Sequence, residues 1–352
     1  MNKKLITLAI AGAVATPFAA QAGSLTVANQ DITLSGGVAG GYINNTDAAQ
    51  SKITATDALV DLSSEAKTGG MGFDLGVGVL AGANLGSSSG VLNTATTGAG
   101  TTLQYGWLTI KPTDGLSLQA GTLATNVGYE VVPSYENANI LHGLVWNDQP
   151  AYYNGIRATY DTGNMSIYVE GSNDPVNPTN PAFNTVNSNG QAIGASATMG
   201  AVNGSISYFN DEDNGSIVDI IASSKMGSMT FAANLDYITK ADRLKVAGTD
   251  DNAYGIALYA TMPMGANASL PVRVEYVSDG TSGIYGLTTT AGEKNSAYTV
   301  TITPTYNFSK ATFVRAELAY VGLDKKTAAY VDDKGVATDG NMTVGLQGGL
   351  MF

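Results

Sequence analysis

Nucleophilic, redox and transition-metal chemistry draws mainly on cysteine and histidine, and this chain of 352 residues has no cysteine and one histidine, His142. The lack of cysteine removes disulfides, thiolate metal sites and cysteine nucleophiles together. His142 stands before Gly143 with no serine beside it, so no hydrolase pair is assembled there, and one imidazole cannot complete a transition-metal ligand set. The acidic clusters Asn210-Asp211-Glu212-Asp213-Asn214, Asp250-Asp251 and Asp332-Asp333 lack the glycine and glutamate spacing of an EF-hand and read as solvated loop acids. The expectation is a protein that is not an enzyme and that carries neither metal nor cofactor.

What remains is a set of charged residues spaced among apolar ones with a period of two. Met342, Val344, Leu346, Leu350 and Phe352 alternate with Thr343, Gly345, Gln347 and Gly349, the signature of a strand with one apolar and one polar face. Sixteen such segments follow one another from residue 31 to the last residue. If every apolar face points outward, Asp61, Glu65, Asp74, Glu170, Asp219, Asp236, Glu275 and Glu317 point inward, together with Arg157, Arg273 and Arg315. Acids outnumber arginines on that inner face.

The elements that must position these residues are strands joined alternately by short and long connections. KTGG, PTDG, DTGN, GAVNG, KMGS, PMGANAS and SK read as tight turns, because Gly, Asn and Asp supply the backbone angles that hairpins need. Between them fall eight long connections rich in Ser, Thr, Asn and Gly, among them 44–52, 123–151 and 323–340. Charged residues make up only 13% of the chain, a sticky surface for a protein in water, and no apolar run after residue 22 is long enough for a spanning helix. A closed barrel is the other structure that can cross a bilayer. The fold expected is all-β: a transmembrane antiparallel up-and-down β-barrel of about sixteen strands, with short turns on the periplasmic side and long loops outside.

Lys3 and Lys4, the apolar stretch Leu5 to Ala15 and Ala20-Gln21-Ala22 form a secretory signal peptide over residues 1–22, leaving 23–352 as a single barrel domain. The formal charge of −12 argues against nucleic acid as a partner, since phosphate backbones require clustered Lys and Arg. Interior width grows with strand number, and about sixteen strands leave an aqueous channel. An acidic passage through low-dielectric walls concentrates cations, so a cation-preferring pore is expected. An adhesin or receptor that acts through its outer loops, with the barrel as anchor, stays open as the alternative. Tyr42, Trp107, Tyr153, Tyr160, Tyr306 and Phe308 fit the aromatic girdles of a membrane barrel.

The stretch 115–170 carries Gly115 to Gly121, Gly128-Tyr129-Glu130, Pro150 and Gly155-Ile156-Arg157-Ala158-Thr159-Tyr160, and a later Arg315-Ala316-Glu317 fits with it. In these pieces the chain resembles the OmpL-like β-barrel porin-2 family. The resemblance implies an outer-membrane porin giving passive diffusion of small hydrophilic solutes, with outer-membrane lipid, lipopolysaccharide and the barrel assembly machinery as partners, and association as a homotrimer. It implies that Phe352 ends the assembly signal. It also implies that the 123–151 loop folds inward, placing Glu130, Glu136 and Asp148 at a constriction opposite Arg157, Arg273 and Arg315; a loop that caps the barrel or packs against a neighbour stays open as the alternative.

Overall fold

The structure, a computed structural model, describes residues 23–27, 30–46, 50–80, 84–85, 102–176, 189–213, 215–240, 252–280, 284–287 and 293–352. The expected signal peptide and the acidic pair Asp250-Asp251 lie outside the described residues. In chain order the strands are β1 (Gly23–Val27), β2 (Gln30–Asn45), β3 (Gln50–Ser64), β4 (Gly70–Leu80), β5 (Thr102–Lys111), β6 (Leu116–Ala124), β7 (Tyr152–Asp161), β8 (Met165–Val176) and β9 (Asn189–Met199). They continue with β10 (Val202–Asp211), β11 (Gly215–Met226), β12 (Met229–Lys240), β13 (Asn252–Pro263), β14 (Ala268–Gly280), β15 (Asn295–Ile302), β16 (Thr305–Asn307), β17 (Thr312–Val331) and β18 (Ala337–Met351).

These eighteen segments make a closed antiparallel barrel of sixteen crossings. β1 is a short ribbon paired with the start of β2. β15 and β16 are two parts of one crossing, both flanked by β14 and β17, and Pro304 causes the gap because it has no N–H for the ladder. Thr303 N still donates to Pro271 O at 2.9 Å and Ala316 N to Pro304 O at 3.0 Å, so the wall is not breached. Closure comes from β18 pairing with β2, from Thr343 opposite Asn45 to Met351 opposite Gly37. Phe352 completes the seam by exchanging two backbone bonds with Gly36, each 3.0 Å.

Where their side chains are described, the barrel strands show their apolar side to the outside. On β18, Met342, Val344, Leu346 and Leu350 are exposed while Asn341, Thr343 and Gln347 are buried, the reverse of a soluble protein. This suits lipid outside and hydrogen-bonding partners inside. Tyr254 beside Tyr276 and Tyr298 beside Tyr320, ring centroids 6.0 Å apart in both pairs, belong to an outward aromatic band toward the loop end, while Tyr160, Tyr306 and Phe308 mark the turn end. Trp107 and Tyr153 depart from the expectation. Leu108 and Ile110 take the outer face of β5, which turns Trp107 inward, and Tyr153 is buried inside the barrel, stacked 5.7 Å from Phe209.

The tight turns are often tighter than the sequence suggests. Gly200 and Gly227, both at φ 62°, each close a two-residue turn, so GAVNG contributes only its first two residues to the connection. The expected long loop 323–340 is mostly a paired ribbon, because β17 runs on to Val331 and β18 starts at Ala337. The connection 44–52 likewise shrinks as β2 and β3 extend into it.

Candidate functional site: the infolded third loop

The connection between β6 and β7, residues 125–151, turns into the barrel. It contains two short 3-10 turns, Ser134–Glu136 and Val145–Asp148. Val127, Tyr129, Ile140, Leu141, Leu144, Val145 and Trp146 are almost fully buried there, although they lie in a connection. Loops normally stay on the surface because their unpaired backbone groups need water. In this barrel the inward-facing polar side chains of the wall supply the missing partners.

That pairing goes most of the way around the wall. On β10, Ser207 Oγ donates to Asn126 O at 3.1 Å. On β12, Asn234 Oδ1 accepts from Tyr129 N at 3.1 Å, and Asp236 accepts from Gln149 Nε2 at 2.7 Å. Asn234 also donates to both Asp219 and Asp236, which face each other in register on β11 and β12. On β14, Glu275 accepts from Val145 N at 3.1 Å, and Arg273 pairs with Glu130 and donates to Leu141 O at 2.8 Å. Glu317 on β17 accepts from Ile140 N at 2.5 Å, Leu141 N at 3.1 Å and Thr303 Oγ1 at 2.8 Å. Arg315, two residues earlier on the same face, donates to Asn137 O at 2.6 Å, Ser134 O at 2.7 Å and Gln347 Oε1 at 2.7 Å. On β3, Asp57 accepts from the backbone N and the hydroxyl of Ser134.

The six residues expected at a constriction therefore fall into different settings. Glu130 and Arg273 come together, and Arg273 also lies 3.2 Å from Glu275. Arg157 instead pairs with Glu170 across β7 and β8 at 2.6 Å and donates to Ala124 O and Tyr153 Oη, anchoring the start of the loop. Arg315 meets loop carbonyls and no loop carboxylate. Glu136 faces acids: burial first, then Asp61 and Asp57, pushes its carboxyl up to about 7. Burial, with Asp279 nearby, likewise raises Asp148 to about 7, and Lys240 only partly offsets this.

Of the eight acids expected inside, Asp219, Asp236, Glu170, Glu275 and Glu317 are buried on the inner wall, and Asp61 and Asp74 share that face with partial exposure. Glu65 does not: β3 ends at Ser64, so Glu65 stands exposed in the turn at the barrel's end. Asp57 was missed, although it has the same parity as Asp61 and lies two steps of the alternation further back, beyond Leu59. Asn234 and Thr303 were missed because uncharged polar residues give no signal in a strand that faces water, and Gln149 because its loop has no alternation to follow. His142 donates from Nε2 to Val131 O at 2.8 Å and stacks 4.5 Å from Trp146.

A family model described as beta-barrel porin-2, OmpL-like, matches residues 8–352. The chain belongs to this family. Its place is the outer membrane, and it is a porin-like barrel. No curated protein matches the chain. Among solved structures, OmpT of Vibrio cholerae is similar with a TM-score of 0.66 at 11% identity, covering 94% of this chain and 100% of that one. The anion-selective porin from Comamonas acidovorans has a TM-score of 0.62 at 15% identity, covering 91% and 99%. The outer membrane channel DcaP of Acinetobacter baumannii has a TM-score of 0.60 at 12% identity, covering 93% and 99%. OmpT is also matched in a trimer form, with a TM-score of 0.60 at 11% identity and coverage of 91% and 99%. At these identities the likeness is one of fold.

Proposed function

We propose that this porin-2 family member lets small hydrophilic solutes and ions diffuse passively through the outer membrane, with a preference for cations. The observation that carries the reading is the division of labour among inward charges. Arg157, Arg273 and Arg315 are buried and each is held by a wall or loop acceptor, whereas Asp61, Asp74 and Glu136 keep part of their surface accessible. Ions in transit thus meet mainly carboxylates, which concentrate cations in a low-dielectric passage. The loop narrows a barrel that would otherwise leave a wide channel at sixteen strands.

No hydrolytic role is assigned to His142, and the barrel is read as non-catalytic. Family resemblance and the trimer form of OmpT support assembly as a homotrimer in outer-membrane lipid and lipopolysaccharide. The bonds from Phe352 to Gly36 support a role for the last residue as the end of the signal read by the barrel assembly machinery. The deciding experiment is single-channel conductance with reversal potential under a KCl gradient. A stable current reversing on the potassium side supports the reading. No current refutes the pore, and reversal on the chloride side refutes the cation preference.

A further inference from the structure

Resting on the pore reading, we propose that the open side of the lumen carries a binding site for organic cations, small solutes in which an amidinium, guanidinium or ammonium group is attached to an apolar body. Three carboxylates and three tyrosines meet there: Asp57 and Asp61 on β3, Glu136 and Tyr135 on the loop, Tyr105 on β5 and Tyr152 at the start of β7. Tyr105 donates to Asp61 at 2.6 Å and stacks on Tyr152 with centroids 5.5 Å apart. The Tyr105 ring reaches Asp61 by crossing Gly76, which sits between them in register; a Cβ at Gly76 would lie 2.4 Å from that ring. Tyr135 in turn lies against Gly37, where a Cβ would come within 2.7 Å of its ring.

Two further observations point to a ligand. Tyr135 is 6% exposed and its hydroxyl has no hydrogen-bond partner, although it lies within electrostatic reach of Glu136, Asp57, Tyr152 and Asp61. Asp57 is 1% exposed and its Oδ1 is also without a partner, while Oδ2 holds Ser134. Buried polar atoms without partners are uncommon and ask for an explanation. Among the described residues no group of three acids or histidines lies close enough together to hold a metal ion. The charge group of such a solute finds carboxylates, and its body finds tyrosine faces, which attract cations in their own right. The nearby basic group, Arg315, is committed to Ser134 O, Asn137 O and Gln347. Glu136 and Asp61 remain partly exposed, so the site opens to the passage.

The test uses the full-length barrel in planar bilayers with benzamidine as probe, benzamide as its neutral counterpart and magnesium chloride at matched ionic strength. Benzamidine is expected to interrupt the potassium current in a concentration-dependent way, and the other two are not. Asp61→Asn and Glu136→Gln should each raise the half-blocking concentration roughly five- to tenfold, as expected for a charge-assisted contact in a partly dry site. Asp324→Asn, on the outer ribbon, should not change it. Folding of each variant is checked by its electrophoretic shift on boiling. Equal block by benzamide or magnesium, or unchanged block in both variants, overturns the site. If the barrel passes no potassium current, the pore reading fails. The site is then judged by titration calorimetry of benzamidine on the detergent-folded barrel, where heat lost in the two variants supports it and unchanged heat overturns it.

Discussion

Glu317 is where the loop's attachment can be tested quantitatively. Its carboxylate takes the backbone N–H groups of Ile140 and Leu141 and the hydroxyl of Thr303 inside a wall that is 2% exposed at this residue. Glu317→Ala removes all three acceptor contacts and leaves two buried N–H groups orphaned, each costing about 1–3 kcal/mol. Water admitted to the new space recovers part of that, leaving about 2–3 kcal/mol. At about 1.4 kcal/mol per factor of ten this shifts local docking of the segment by about 30- to 150-fold. Arg273, Glu275 and Arg315 still hold the loop on either side, so the opening is local. Amide hydrogen exchange followed by mass spectrometry on the loop peptide should show Ile140 and Leu141 exchanging faster by that factor, with the β13 and β14 amides unchanged. Unchanged protection at 140 and 141 would refute the claim that wall carboxylates hold this loop through its backbone.

Three further outcomes follow from the geometry. Because Glu136 and Asp148 are both raised to about 7, they are neutral below that pH and charged above it; cation selectivity from reversal potentials should therefore rise between pH 6 and pH 8, and a flat profile counts against their lining the passage. Gly76→Ala should displace the Tyr105 ring and cost about 1.5–3 kcal/mol through the lost bond to Asp61. In a double-mutant cycle read by urea unfolding, Tyr105→Phe should add little to that loss, and full additivity would separate the two residues. Arg273→Met should destabilise the barrel by about 3–5 kcal/mol, because it leaves Glu130 and Glu275 buried without their shared cation; Arg273→Lys should restore part of this, and equal losses in the two variants would mean packing rather than charge decides.

The barrel was legible wherever a strand passes from lipid to water. Arg315 and Glu317, or Arg157 on β7, could be placed on the inner face because Val314, Ala158 and their neighbours fix the parity. Beyond the lipid that guide disappears: Asp324, Lys325 and Lys326 are polar on both faces, so their ribbon reads as a loop although β17 continues through them. Trp107 and Tyr153 were misplaced because a large ring suits a lipid interface and the inside of a filled barrel equally well. The partners of the loop were beyond reach. Ile140 and Leu141 look like ordinary apolar loop residues, and nothing in their types reveals that their backbone groups are what Glu317 holds.

Several wall contacts to the loop end on main-chain atoms: at Tyr129, Ser134, Asn137, Ile140, Leu141 and Val145 the wall grips peptide groups that any residue except proline would present in the same way. The fastening is therefore largely blind to what the loop displays. Side chains such as Glu136 can be exchanged, by mutation or by design, to retune what the passage admits while the scaffold that carries them stays clamped in position.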